Sequence, residues 1–325
     1  MANGTFYQRE GIIIAIEGEG YTGYGETAPL PGFSSEQLFE CRNQIEGFIF
    51  AVKDDQIDIS VEDLLLLADV HTCNYPSAQF GLETALYDLA AKFSGKSLAS
   101  FLNSNYSESI SVNGLAGIHS PENGFPVIKV KTGFRNLFDK IEYMEKLSLE
   151  FDDDILFRLD CNESLDLPRA IRFCKEMEKF NIEYIEQPLP RNDLEDLCEL
   201  RFHTEIPIAV DESLTDKTSA EKLIESQAAD VFIIKPTMTG SYKTCEEIIT
   251  LSRMENIKPI ITSSIENIIG LTACAHLSAA HQIEDACGLA TLDLLSVDSQ
   301  SAPIKNGRYY IPDNLGLGVE LAETI

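Results

Sequence analysis

Six residues in the middle of the chain set amines and carboxylates at regular spacing: Lys129, Lys131, Asp160, Glu186, Asp211 and Lys235. From Asp160 onward the intervals are 26, 25 and 24 positions. Three acids with no His or Cys among them are oxygen-only donors, which suits a hard divalent cation, Mg2+ or Mn2+. Lys129 and Lys131 are two apart and so share one face of a strand. Like charge and a nearby metal would draw a lysine towards the pKa of a usable base. A substrate carboxylate at such a metal would lose its α-proton to one lysine, with the metal and the other lysine stabilising the enediolate. Asn162 lies two after Asp160, and Arg158, two before it, shares its face. Glu212 is an alternative to Asp211, but neighbours on a strand face opposite ways.

These residues need a scaffold that brings distant positions together. All of the six but Lys129 close a short β-branched or aromatic segment: Val127–Lys131, Ile155–Asp160, Ile182–Glu186, Ile206–Asp211 and Asp230–Lys235. Helical patterns at 136–151, 167–180 and 242–255 lie between or after them. Repeated strand and helix at this period predicts parallel βα units with every named residue at the C-terminal end of its strand, the catalytic face of a (β/α)8 barrel. Further strands are expected at 109–114, 258–264 and 290–295, giving eight, with a buried helix over 267–281. Upstream, 12–16 and 21–26 read as a hairpin turning over 17–20, followed by helices from Ser34 or Ser35 to Val52, at 61–70 and at 78–93. The expected architecture is α/β: an α+β capping domain over 1–107, a barrel over 108–295, and a tail, 296–325, packing back on the capping domain. The Pro/Gly-rich stretch Pro29–Ser34 reads either as an ordinary loop or as a lid, with Leu30, Gly32 and Phe33 its apolar tip.

A net charge of -28 over 325 residues argues against nucleic-acid or anionic-membrane partners. No apolar run approaches the roughly 18 residues that span a bilayer, and the N-terminus lacks a signal-peptide pattern. Eight scattered cysteines without a Cys-x-x-Cys pair suit a reducing cytoplasm.

As a set the motifs resemble the enolase superfamily, muconate-lactonizing subgroup, and within it the o-succinylbenzoate synthases. Gly23–Ser34 and Ser77–Asp88 are similar to the capping-domain pattern. Lys129-Val-Lys131, Arg158–Asn162, Ile185–Pro188, Val210–Ser213, Ile234–Pro236 and Ser263–Gly270 are similar to the barrel motifs, in order. The family carries a further strand before the segment that starts here at Gly11. The resemblance implies Lys131 as acid/base, Lys235 as opposing cation, and Asp160, Glu186 and Asp211 as ligands to Mg2+ or Mn2+. It implies Lys129, Arg158, Asn162, Ser263 and Ser264 as substrate contacts. The implied reaction dehydrates a cyclohexadiene dicarboxylate to 2-succinylbenzoate, for menaquinone. The alternative is a dipeptide epimerase or N-acylamino acid racemase of the same subgroup. Dipeptide epimerases typically carry Asp-x-Asp at the eighth strand, whereas Thr291–Leu295 holds one acid.

Overall fold

The structure, a computed structural model, describes residues 8–53, 59–133, 136–295 and 302–319. Strands β1 (Ile12–Gly18) and β2 (Tyr21–Thr27) form an antiparallel hairpin. Its turn is tighter than expected, just Glu19-Gly20. Both have positive φ, 44° and 85°, as a two-residue turn matching strand twist requires. Helices α1 (Leu38–Lys53), α2 (Val61–Thr72) and α3 (Pro76–Phe93) follow. Strand β2 lies against α3 through Gly23 and Gly25. A Cβ there would stand 2.1 Å from Ala85 O and 1.9 Å from Gly81 O, so only glycine permits the contact. Ile14, Ile45, Phe48, Leu82 and Leu86 form a core of their own.

Helix α1 does not begin at Ser34 or Ser35. Ser34 Oγ instead accepts from Leu30 N at 2.8 Å, closing the 30–34 loop on itself, and the helix starts at Leu38.

After α4 (Leu98–Leu102) come β3 (Ser109–Ser111) and β4 (Gly114–Leu115). The remaining strands are β5 (Val127–Lys131), β6 (Leu156–Asp160), β7 (Ile182–Glu186), β8 (Ile208–Val210), β9 (Val231–Ile234) and β10 (Lys258–Ile261). Strands β4 to β10 form one seven-stranded sheet in chain order, every pair parallel. The crossovers carry α5 (Leu137–Glu150), α6 (Leu167–Met177), α7 (Leu194–Arg201), α8 (Lys217–Glu225), the short α9 (Pro236–Thr239) and α10 (Tyr242–Met254). Side chains of Asn136, Asp166, Asp216 and Ser241 accept first-turn amides, fixing where α5, α6, α8 and α10 begin. Strands β8 and β9 are buried throughout, as parallel strands covered on both faces are. Helix α11 (Ile268–Ala280) is buried at all thirteen positions.

Two expected strands are corrected. The stretch 109–114 splits: β3 pairs antiparallel with β12 (Arg308–Tyr310), which also pairs with β11 (Ile304–Lys305), and only β4 enters the parallel sheet. No strand occupies 290–295, where Leu292–Leu294 make a 3-10 turn. The chain instead meets the sheet at Cys287-Gly288, which bridges Val112 on one side and Thr262 on the other, parallel to both. The turn tucks against the core, with Leu292 buried and Asp293 outside.

The tail packs on both parts. β12 joins β3, whereas Leu317 N donates to Asp88 Oδ1 on α3 at 2.7 Å. Residues 1–7, 54–58, 296–301 and 320–325 of the expected capping unit lie outside the described residues.

Candidate active site

Register brings the charged strand ends together. Lys131 pairs with Asp160, and Asp160 with Glu186, across β5, β6 and β7. Asp211 follows the end of β8, where Gln187 holds it: Gln187 Oε1 accepts from Asp211 N at 2.9 Å and Ser213 N at 3.1 Å. Lys235 follows β9 and donates to Asp211 Oδ2.

Lys129 Nζ lies 2.9 Å from Asp160 Oδ2 and 2.7 Å from Glu186 Oε2, and Lys131 Nζ donates to Asp160. Asp160 and Glu186 are fully buried, and Asp211 is nearly so. Burial opposes ionisation of Asp160, but Lys129 and Lys131 outweigh it and hold the carboxyl well below its ordinary range. Glu186 goes the other way, pushed up to about 8 by burial and then by the Asp160 charge. Burial pulls Lys129 down, but Asp160 and Glu186 drive it well above its ordinary value. Lys235 is likewise raised, Asp211 overcoming desolvation. At these two positions the carboxylates serve the amines as counterions.

Lys129, Lys131, Lys235, Asp211 and Asn162 line a cavity of ≈ 210 Å³ at this end of the sheet. Lys131 is the most open of the three amines, its side chain 40% exposed against 12% for Lys129 and 14% for Lys235. Leu30 and Phe33 form part of the apolar side with Leu115, Ile118, Ile265 and Leu294. Gly32, at φ 79°, is exposed and turns the chain between Leu30 and Phe33. Phe33 N donates to Leu30 O at 3.0 Å, and Pro31-Gly32 are the residues a type II turn demands. Ser263 and Ser264 line the cavity, but Ser263 Oγ donates to buried Glu266 at 2.5 Å, and Ser264 Oγ is bonded by Thr237 Oγ1 at 2.9 Å.

Arg158 lies away from the cavity, with its donors taken by protein groups. It is fully buried and outside the cavity lining. Its guanidinium donates to Glu183 at 2.7 Å, Asn113 Oδ1 at 3.2 Å and Ala286 O at 2.5 Å, and stacks 4.8 Å over Tyr184. The two-residue period puts it on the face of Asp160 but one layer deeper, where protein groups occupy its donors.

Glu212 was set aside on strand alternation, yet Asn162 Nδ2 donates to its Oε1 at 3.1 Å. β8 ends at Val210, so alternation no longer governs residue 212. Gln187 and Glu266 were also missed. Gln187 sits inside Ile185–Pro188, and its φ of 37° marks a bend rather than a strand.

The acids suit a hard divalent ion by donor type and burial, and Glu186 Oε2 receives no hydrogen bond despite the nearby ammonium. As the side chains stand they turn to lysines, and no three acids among the described residues group closely enough to hold an ion.

Residues 119–325 match the family described as Enolase C-terminal domain-like, and residues 1–89 match MenC, N-terminal domain. The chain belongs to the enolase superfamily. Its relatives include both epimerases and o-succinylbenzoate synthases. A D-Ala-D/L-Ala epimerase from Cytophaga hutchinsonii is 27% identical, covering 94% of this chain and 87% of its own. An o-succinylbenzoate synthase from Aliivibrio salmonicida is 29% identical, covering 89% and 85%. The dipeptide epimerase from Enterococcus faecalis, solved with Mg and the dipeptide L-Leu-L-Tyr, superposes with a TM-score of 0.87 at 26% identity, covering 98% of this chain and 94% of that one. The superfamily assignment makes the chain an enzyme of the enolase type, either lyase or isomerase.

Proposed function

We propose that this enolase-superfamily enzyme is an o-succinylbenzoate synthase acting in the cytoplasm. One observation carries the choice over a dipeptide epimerase. The chain meets the parallel sheet at Cys287-Gly288, so the eighth-strand position to inspect is 288–290, not 291–295. Gly288 and Ala290 line the cavity there, and neither bears a charge. An Asp-x-Asp pair that grips a substrate ammonium has no counterpart at Gly288-Leu289-Ala290. Asp293, the one acid nearby, is 69% exposed and pairs with His119 Nε2 at 3.0 Å. Three cavity-facing ammonium groups and hydroxyls suit a substrate with two carboxylates. We read the Cys287-Gly288 bridges as closing an eight-stranded barrel around them.

Asp160, Glu186 and Asp211 are the residues that would hold Mg2+, with Lys129 and Lys131 swinging aside. When bound, the ion would supply positive charge against a substrate carboxylate, lowering the cost of losing the adjacent proton. Lys131, the most open amine, takes that proton from carbon and returns it to the departing hydroxyl, which leaves as water. Lys235, held charged by Asp211, faces the ring as a fixed cation. Leu30 and Phe33 exclude water as a lid. The barrel over 108–295 carries this chemistry, and the first 107 residues supply the lid.

The test is 2-succinylbenzoate formation by the purified protein from the cyclohexadiene dicarboxylate with Mg2+. Efficient epimerisation of dipeptides or racemisation of N-acylamino acids without that product would overturn the synthase reading and leave the superfamily intact.

A further inference from the structure

Arg9 belongs to none of the motifs above, yet its guanidinium reaches both walls of the cavity. Nη1 donates to Pro29 O at 2.6 Å, and Nη2 to Ala28 O, immediately before the lid tip. Nε donates to Ile265 O at 3.2 Å, and Nη2 approaches Ser264 O at 3.4 Å, on the loop after β10. Four carbonyls, two from each loop, thus converge on one side chain. A planar fork of five N–H groups can serve them together, whereas an ammonium cannot hold that geometry.

A second observation concerns what Arg9 holds. Ile265 has φ 64°, a left-handed conformation that a β-branched residue adopts only under constraint. Its N–H donates to Ser263 Oγ at 2.8 Å, and its carbonyl goes to Arg9. The side chain lines the cavity together with Leu30 and Phe33. Strained residues persist where neighbours over-determine them, and Arg9 is one of the two groups doing so here.

We propose that Arg9 is a positioning residue that clasps the 28–34 turn to the 263–266 loop and so sets the width of the cavity's apolar side. The proposal rests on reading Leu30 and Phe33 as a wall of the substrate site. Its consequence is for binding rather than proton transfer, since Arg9's hydrogen bonds go to the 28–29 and 264–265 carbonyls and not to β5 or β9, which carry Lys131 and lead into Lys235.

The experiment compares the full chain with Arg9→Lys and Arg9→Met. Amide hydrogen exchange is followed over 28–34 and 263–266, and calorimetry gives affinities for Mg2+ and for 2-succinylbenzoate. Both segments should exchange faster together, and 2-succinylbenzoate affinity should fall about tenfold, the scale of losing a hydrogen bond to a charged group. KM should rise more than kcat falls, Mg2+ affinity should hold, and Arg9→Lys should rescue little. Unchanged exchange in either loop, or full rescue by lysine, would overturn the clasp. Should Arg9→Met fail to fold, Arg9→Lys decides the matter. Exchange is read without ligand, so a wild-type chain that ignores 2-succinylbenzoate would sink the synthase reading and leave the clasp to be judged on exchange alone.

Discussion

Lys129 Nζ lies within 2.7 Å of both carboxylate oxygens of Glu186, so any cation held by this carboxylate would have to displace the ammonium. Metal loading should therefore compete with this pair. Glu186→Gln, Asp160→Asn and Asp211→Asn should each weaken Mg2+ binding by about 10–100-fold or more, measured by calorimetry. Chelation by EDTA should abolish turnover, and Mg2+ should restore it. Full activity in chelator would remove the metal from the scheme.

The lysines separate the two reactions. For the synthase, Lys131→Ala should abolish 2-succinylbenzoate formation, because one amine handles the proton on one face. A racemase needs proton transfer from both sides, so in D2O each single lysine variant would keep α-hydrogen exchange for one enantiomer only. The label pattern in Lys131→Ala and Lys235→Ala decides between them.

Phe33 is half-buried on a turn closed by Leu30 and lines the cavity. Phe33→Ala should lower kcat/KM by about tenfold or more through lost apolar contact, with Mg2+ affinity and melting temperature nearly unchanged. Collapse of the fold instead would make the turn core rather than lid.

Gly288 passes close to β10. A Cβ there would stand 2.7 Å from Thr262 Cγ2. Gly288→Ala should cost about 1–3 kcal/mol of stability by overpacking, read from urea unfolding. An unaltered midpoint would show that this segment has room to shift.

Glu26, from β2, accepts from Asn267 N and Gly270 N at 2.8 Å each and caps α11 across the two parts of the chain. Burial pushes it up to about 7, against those two amides, and burial likewise raises Glu83 to about 7. Their folded values exceed the ordinary 4.5. The folded chain therefore binds these protons more tightly, and the stability they contribute is complete below 4.5 and lost as pH rises through 7. Unfolding free energy should fall from about pH 4.5 to about pH 7 by on the order of 1–3 kcal/mol per group. Glu26→Gln should flatten that slope, and an unchanged slope would assign the pH dependence elsewhere.

Much of this was legible in the chain itself. Buried parallel strands read as short apolar runs, and a repeat near 25 residues means strand, helix, strand. The chain alone thus places Lys131, Asp160, Glu186, Asp211 and Lys235 at successive strand ends. The family motifs added the capping part and its loop. Four things were decided only in three dimensions. Depth along a strand separates Arg158 from Asp160, because a two-residue period specifies a face and not a layer. Strand termination let Glu212 turn towards Asn162, because alternation holds only while the backbone is extended. Contacts between residues far apart in sequence, Arg9 with Ile265 and Glu26 with Gly270, leave no local pattern, because a hydrogen bond to a distant carbonyl imposes nothing on neighbouring residue types. The Cys287-Gly288 segment belongs with these, since two bridged residues are too short a run to carry a period, and only their isolated bridges to Val112 and Thr262 reveal them.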